Sequence, residues 1–430
     1  MILSNPYLNK HRNYAVMFFF VCMMVSGSSN AQNSTSANGY RYPTYKGLVM
    51  AGYQGWFNTA ADGAGRNWHH FQRRGVFAPG SCEIDLWPDM TEYKKQYPTD
   101  FKFADGKTAT VFSAYDESTV GLHFKWMKDY GIDGVFMQRF VAEIRNESGK
   151  KHFNTVLENA MQAAEKNNRA ICIMYDLSGM VPADVPVVLN DIDELNRQYG
   201  LLNKDKIKSP TYLHENGKPL ITVWGVGFND NRRYGFKEAE TIIDGLNEKG
   251  YSVMLGVPTF WRDFGFDAIK SDSLHTLIKK CAIVAPWFVG RYDINTYPAF
   301  NQHIKDDIAW CQANQVEYAP LAFPGFSWRN MNGPNARTID RENGNFFWQQ
   351  VAGAKAAGAQ MLYIAMFDEM NEGTSIFKCA TKSNLPLNPN GVFVDIDDSV
   401  GSDYYLWLTG QSANWFHGKS GYSKVKPIRR

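Results

Sequence analysis

Short apolar runs alternate with amphipathic stretches from residue 48 almost to the end of the chain. The runs are Leu48–Trp56, Gly134–Phe140, Ala170–Tyr175, Leu220–Trp224, Ser252–Val257, Ile283–Trp287, Tyr318–Phe323 and Met361–Phe367. They are rich in branched and aromatic side chains, as strands covered on both faces are. Between them lie helical patterns at 117–130, 154–167, 188–199, 236–249, 272–280, 299–314 and 344–357, and a last one near 402–417. In the first, Val120, Phe124 and Met127 share a face; in the seventh, Phe347, Val351 and Ala354 do.

Several helical patterns stop at a glycine, with a strand pattern following within a few residues: Tyr130-Gly131, Lys249-Gly250 and Ala357-Gly358. Glycine ends a helix in the left-handed conformation without a Cβ clash. Such short connections between helices and buried strands predict a parallel sheet, and eight units predict a single (β/α)8 TIM barrel, an α/β fold. A ninth strand-like run, Thr110–Tyr115, joins the long segment 58–107 in an elaborated first strand-to-helix loop over the barrel mouth. A doubly wound open sheet is the competing architecture, but no GxGxxG follows a strand.

The first residues do not share this pattern. Lys10, His11 and Arg12 precede an apolar run from Ala15 to Val25, and Ser29 and Ala31 supply small residues. That is the layout of a signal peptide, predicted over 1–31 with cleavage after Ala31. The run is too short to span a bilayer, which takes about 20 residues. A flexible leader is expected over 32–46, one domain over 47–430, and a periplasmic or secreted location. Cys22 follows bulky Phe20 and Val21 where a lipobox has small residues, which leaves a lipid anchor as an open alternative. Without residues 1–31 the chain holds 43 basic and 43 acidic residues. That balance gives no electrostatic footprint for nucleic acid. No membrane insertion is expected, and a monomer is. The remaining cysteines, Cys82, Cys172, Cys281, Cys311 and Cys379, lie far apart and specify no disulfide and no zinc motif.

A barrel places its chemistry at the C-terminal ends of the strands. There the sequence sets Tyr53 and Trp56 after the first strand, Asp176 after the third, Trp224 after the fourth, Trp287 and Arg291 after the sixth, and Trp328 after the seventh. Aromatic platforms mixed with carboxylates and bidentate donors suit sugar rings, which offer apolar faces and hydroxyls. These residues and Asn371 are the candidate substrate contacts. The sharpest local signal is Phe367-Asp-Glu-Met-Asn-Glu-Gly-Thr374. Glu369 and Glu372 would sit about 5–6 Å apart on a helical turn, near the roughly 5–5.5 Å of a retaining glycosidase pair. They are the candidate catalytic residues. No cofactor and no metal are expected. The adjacent His69 and His70 would point to opposite sides of an extended chain, and no Walker, Rossmann or GxSxG pattern occurs.

The 367–374 segment resembles the FNEWHEGT-type motif of the family 99 glycoside hydrolases, the endo-α-mannosidases and endo-α-mannanases. The related family 71 α-1,3-glucanases share the broader barrel pattern. The resemblance runs over most of 45–418 and includes Gly52-Tyr-Gln-Gly-Trp-Phe57, Gly131-Ile-Asp-Gly-Val-Phe136 and Pro324-Gly-Phe326. It implies that Glu369 takes a proton from the sugar 2-hydroxyl, which then attacks its own anomeric carbon to give a 1,2-anhydro intermediate. It implies that Glu372 is the acid/base at the glycosidic oxygen. The family has Asn, Trp and His where this chain has Asp368, Met370 and Asn371, so the chemistry carries over and the sugar does not. A base at Glu369 must be ionised, and Arg291 is the expected counter-cation. Asp368, alternating with Glu369, is expected to face away and anchor backbone. The alternative is a barrel that binds glycans without cleaving them.

Overall fold

In the computed structural model, which describes residues 39–203, 205–389, 391–421 and 424–429, all eight predicted strands form. They are β1 Val49–Tyr53, β2 Gly134–Phe140, β3 Ala170–Asp176, β4 Lys218–Trp224, β5 Ser252–Val257, β6 Ile283–Pro286, β7 (the pair Glu317–Tyr318 and Leu321–Ala322) and β8 Leu362–Ile364. Neighbours pair in parallel, in chain order from β1 to β6, and β8 pairs with β1.

Closure depends on β7, which Pro320 interrupts. Its first half pairs with β6 and its second half with β8. A proline has no N–H to give to a ladder. The break therefore falls where the strand changes partner: Ala319 N–H donates to Val284 O (2.9 Å), and Pro320 O accepts from Tyr363 N–H (2.9 Å). The ring of strands is closed.

Among the described residues, eight longer helices cover it: α1 Glu117–Tyr130, α2 Glu147–Asn167, α3 Val185–Tyr199, α4 Phe236–Glu248, α5 Asp272–Lys279, α6 Tyr297–Ala313, α7 Asn345–Ala356 and α8 Tyr404–Phe416. The glycine grammar holds, with Gly131, Gly250 and Gly358 at φ 80°, 98° and 100°. The ninth strand-like run is off the barrel. Thr108–Val111 pairs antiparallel with Tyr97–Lys102 as a hairpin inside the loop between β1 and α1. The predicted signal segment lies outside the described residues. Among the described residues, no helix is long and apolar enough to cross a membrane, and the five cysteines are free and buried.

The helical ring closes where α8 meets α1. A Cβ on Gly410 would stand 1.8 Å from the carbonyl oxygen of Tyr130, so only glycine allows the two helices this approach. Gly410→Ala is expected to cost about 1–3 kcal/mol, the range for overpacking, and to lower the urea midpoint. A midpoint equal to wild type would show that α8 moves without penalty.

Candidate active site

The segment after β8 turns at once into the barrel mouth. Asp368 and Glu369 are both buried and point different ways. Asp368 accepts the backbone N–H groups of Gln54 (2.7 Å) and Gly55 (2.9 Å) at the end of β1, the backbone anchor expected from alternation. Burial pushes its carboxyl up to about 7, against the pull of those two N–H groups.

Glu369 is met by three donors. Gln54 Nε2 reaches Oε2 at 2.6 Å, and the backbone N–H groups of Asn371 and Glu372 reach Oε1 at 2.8 and 3.3 Å. Thr374 and Ser375 donate to its carbonyl oxygen at 3.1 and 2.9 Å, closing a tight turn. Burial, and after it the charge of Glu372, hold the Glu369 carboxyl well above the ordinary glutamate range. Glu372 is itself pushed up to about 7 by burial, with the Trp328 indole pulling it down and the Asp176 charge pushing it up. Because the charge of Glu372 raises Glu369, the two carboxyls do not titrate independently.

Loops far apart in sequence hold this turn. Asp85, fully buried, accepts the Ser327 hydroxyl and the backbone N–H groups of Arg329 (2.7 Å) and Asn330 (2.8 Å). Its own N–H donates to Met370 O at 2.8 Å, and Ser327 N–H donates to Glu372 O at 2.8 Å. One aspartate from the loop after β1 thus sets both the glutamate turn and the flanks of Trp328. Among the described residues, an apolar hollow at the barrel mouth is walled by Trp224, Trp287, Met174, Met254, Leu321 and Tyr363. Trp224 and Trp287 meet edge to face, with centroids 5.3 Å apart.

No family model matches the chain. Over 191 residues it is 28% identical to the glycoprotein endo-alpha-1,2-mannosidase-like protein of Danio rerio, an alignment covering 41% of this chain. The chain thus spans about two fifths (39%) of that relative's length. The solved GH99 endo-alpha-mannosidase of Bacteroides thetaiotaomicron superposes with a TM-score of 0.61 at 16% identity, over 88% of this chain and 100% of that one. Its complex with bis-tris-propane gives 0.59 at 16% identity, over 87% and 99%. The solved structures carry the likeness in fold, and the zebrafish relative carries it in part of the sequence.

The glutamates, Asp176 and Trp328 come together in the barrel mouth, with Trp224 and Trp287 in the wall of the hollow. Two expected contacts do not join them. Tyr53 is fully buried, and its hydroxyl meets His123 Nδ1 at 2.8 Å. As the last residue of β1 it alternates outward onto α1, while Gln54, next along, takes the inward place. Arg291 is no counter-cation for Glu369. Its Nε lies 3.0 Å from Asp267 Oδ2 and 3.2 Å from Thr259 Oγ1, so the loop after β5 holds it.

Asn371 and Trp56 act at the rim. Asn371 Nδ2 donates to His70 O at 2.7 Å, and Trp56 stacks on the His70 ring at 3.7 Å between centroids. Gln54, Gln138 and Tyr363 were not among the candidate contacts. Strand alternation is the signal for Gln138: Arg139 faces out to a buried ion pair with Asp191 (2.8 and 2.5 Å), so its neighbour faces in.

A carboxyl raised by burial holds its proton more tightly folded than unfolded. Its contribution to stability is full below the ordinary glutamate pKa and is lost as pH rises toward the folded value, here about 7. Glu372→Gln removes that loss. The variant is expected to melt at or above the wild-type Tm at pH 8, with the difference shrinking toward pH 5. A Tm well below wild type at pH 8 would make Glu372 a structural carboxylate instead.

Proposed function

We propose that this chain is an exported glycoside hydrolase that cleaves an α-linked glycan as a monomer, without nucleic-acid or membrane partners, using Glu369 and Glu372. The two raised carboxyls of Glu369 and Glu372 in the turn after β8 carry this reading. The family 99-like fold supports it, as do the printed names of the mannosidase relatives.

The chemistry follows from the proton inventory. Every hydrogen bond to the Glu369 side chain comes from a donor, an environment that favours its ionised form. What opposes that form is burial, then the charge on Glu372, and after these the charge on Asp368. With the proton on Glu372 the second obstacle is gone, and the pair carries one base and one acid. Glu369 then draws the proton from the 2-hydroxyl, whose oxygen displaces the leaving group to form the 1,2-anhydro ring. Glu372 protonates the departing glycosidic oxygen. In the second half water opens the anhydro ring, giving its proton to Glu372 as the 2-hydroxyl recovers its own from Glu369. Net retention results, and a pKa of about 7 on Glu372 suits a group that must both give and take. Trp328, 36% exposed beside Glu372, offers a face for a sugar on the leaving-group side.

Purified polysaccharides and oligosaccharides screened for released products test the activity. Glycan binding without any product would favour the non-catalytic barrel. Glu372→Gln is expected to abolish turnover of the natural glycan yet retain more activity on a glycosyl fluoride, which needs little protonation to leave. Equal loss on both would remove Glu372 as the acid. A 2-deoxy substrate is expected to be inert, and its efficient cleavage with Glu369 still essential would make Glu369 an ordinary nucleophile.

Gln54→Ala removes a hydrogen bond to a charged group, about 1.5–3 kcal/mol. It should lower kcat on the order of 10- to 100-fold and move the acidic limb of the pH profile upward. An unchanged profile would show that Gln54 does not tune the pair.

A further inference from the structure

Two histidines of the loop after β1 and a glutamate after β2 turn their polar atoms toward one point. An extended chain would send His69 and His70 to opposite sides. The structure does otherwise, because His70 adopts φ 61°, a left-handed conformation uncommon outside glycine. The turn brings the two rings to 4.5 Å between centroids at 80°. Nitrogen atoms of both rings and a carboxylate oxygen of Glu143 then lie within 4.8 Å of one another.

The separations decide what this cluster is for. His69 Nε2 lies 3.5 Å from Glu143 Oε1, and His70 Nε2 lies 3.7 Å from the same oxygen. Those distances exceed the roughly 2.7–3.2 Å of a good N–H···O bond. Two ligands held at about 2.0–2.1 Å on one tetrahedral zinc ion stand roughly 3.3 Å apart. His70 Nε2 is buried and has no hydrogen-bond partner among the described residues. Arg66 pairs with Oε2 of Glu143, which also lies 3.4 Å from His69 Nε2, and this pairing orients the carboxylate beside the two rings.

We propose that His69, His70 and Glu143 bind one divalent transition ion of the zinc class. Two imidazoles and one carboxylate suit zinc and its neighbours rather than magnesium or calcium, which take oxygen sets. Three protein ligands leave one position for water or a substrate hydroxyl. Arg66 adds a like charge beside the ion and limits its affinity. The bound ion fastens the rim of the candidate site, because the His70 ring covers Trp56 and its carbonyl holds Asn371, two residues from Glu369. This site stands independently of the proposed hydrolysis.

The test uses the full chain stripped with a chelator and titrated with zinc chloride against a chromophoric indicator. One equivalent is expected to bind, and roughly tenfold or more weaker in His69→Gln, His70→Gln and Glu143→Gln. Zinc should raise the Tm of the wild type more than that of the variants. Diffraction at the zinc edge should give one anomalous peak between the three side chains. Circular dichroism shows whether each variant is folded, and the anomalous peak decides the matter on the wild type alone. Binding undiminished in all three variants, no binding to the wild type, or a peak elsewhere would overturn the assignment.

Discussion

The buried carboxylate of Asp368 takes the backbone N–H groups of Gln54 and Gly55, and the mouth of the barrel is organised around that clamp. It ties the chain leaving β8 to the chain leaving β1, the seam at which the cylinder closes. Because the clamp fixes the Gln54 backbone, the Gln54 amide can reach Glu369. Because it consumes the outward position, the next residue must turn inward. Among the described residues, no cation pairs with it. The N–H groups of Gly55 and Gln54, with its own, offset only part of the burial of a carboxyl whose proton affinity has risen to about 7, so the arrangement is held at some cost in stability.

The same cost recurs along the strand ends. Asp368, Glu369, Glu372 and Asp176 all have proton affinities raised by burial. A core built only for stability would have replaced them with apolar residues. Raised carboxyls concentrated in one mouth fit a site that trades stability for protons held near neutral pH.

The strands and helices were legible because a barrel strand is short, apolar on both faces and punctuated by glycine. Helix starts were less so. α2 begins at Glu147 rather than 154, because its first turns, Glu147-Ser-Gly-Lys-Lys-His, carry too few apolar residues for periodicity to register. The glutamate pair was legible from its motif. Tyr53 and Arg291 were misread for one reason: proximity to a strand end does not say which face a side chain takes. A single alternation sends Tyr53 to α1, and a neighbouring loop carboxylate, Asp267, claims Arg291. The His69–His70 turn was invisible because a positive φ on histidine leaves no mark in composition or spacing.

Asp85 joins Ser327 across 242 residues and Met370 across a still longer stretch. Its partners lie after β7 and β8, at the far end of the chain from the loop that supplies it. Contacts of such separation form late, since the entropy of closing so long a loop must be met first. The glutamate turn and Trp328 therefore acquire their geometry only when the last strand has docked. A chain cut short before β8, even with most of its helices folded, would still have no assembled mouth, so the carboxyl turn takes shape only after the last strand is in place.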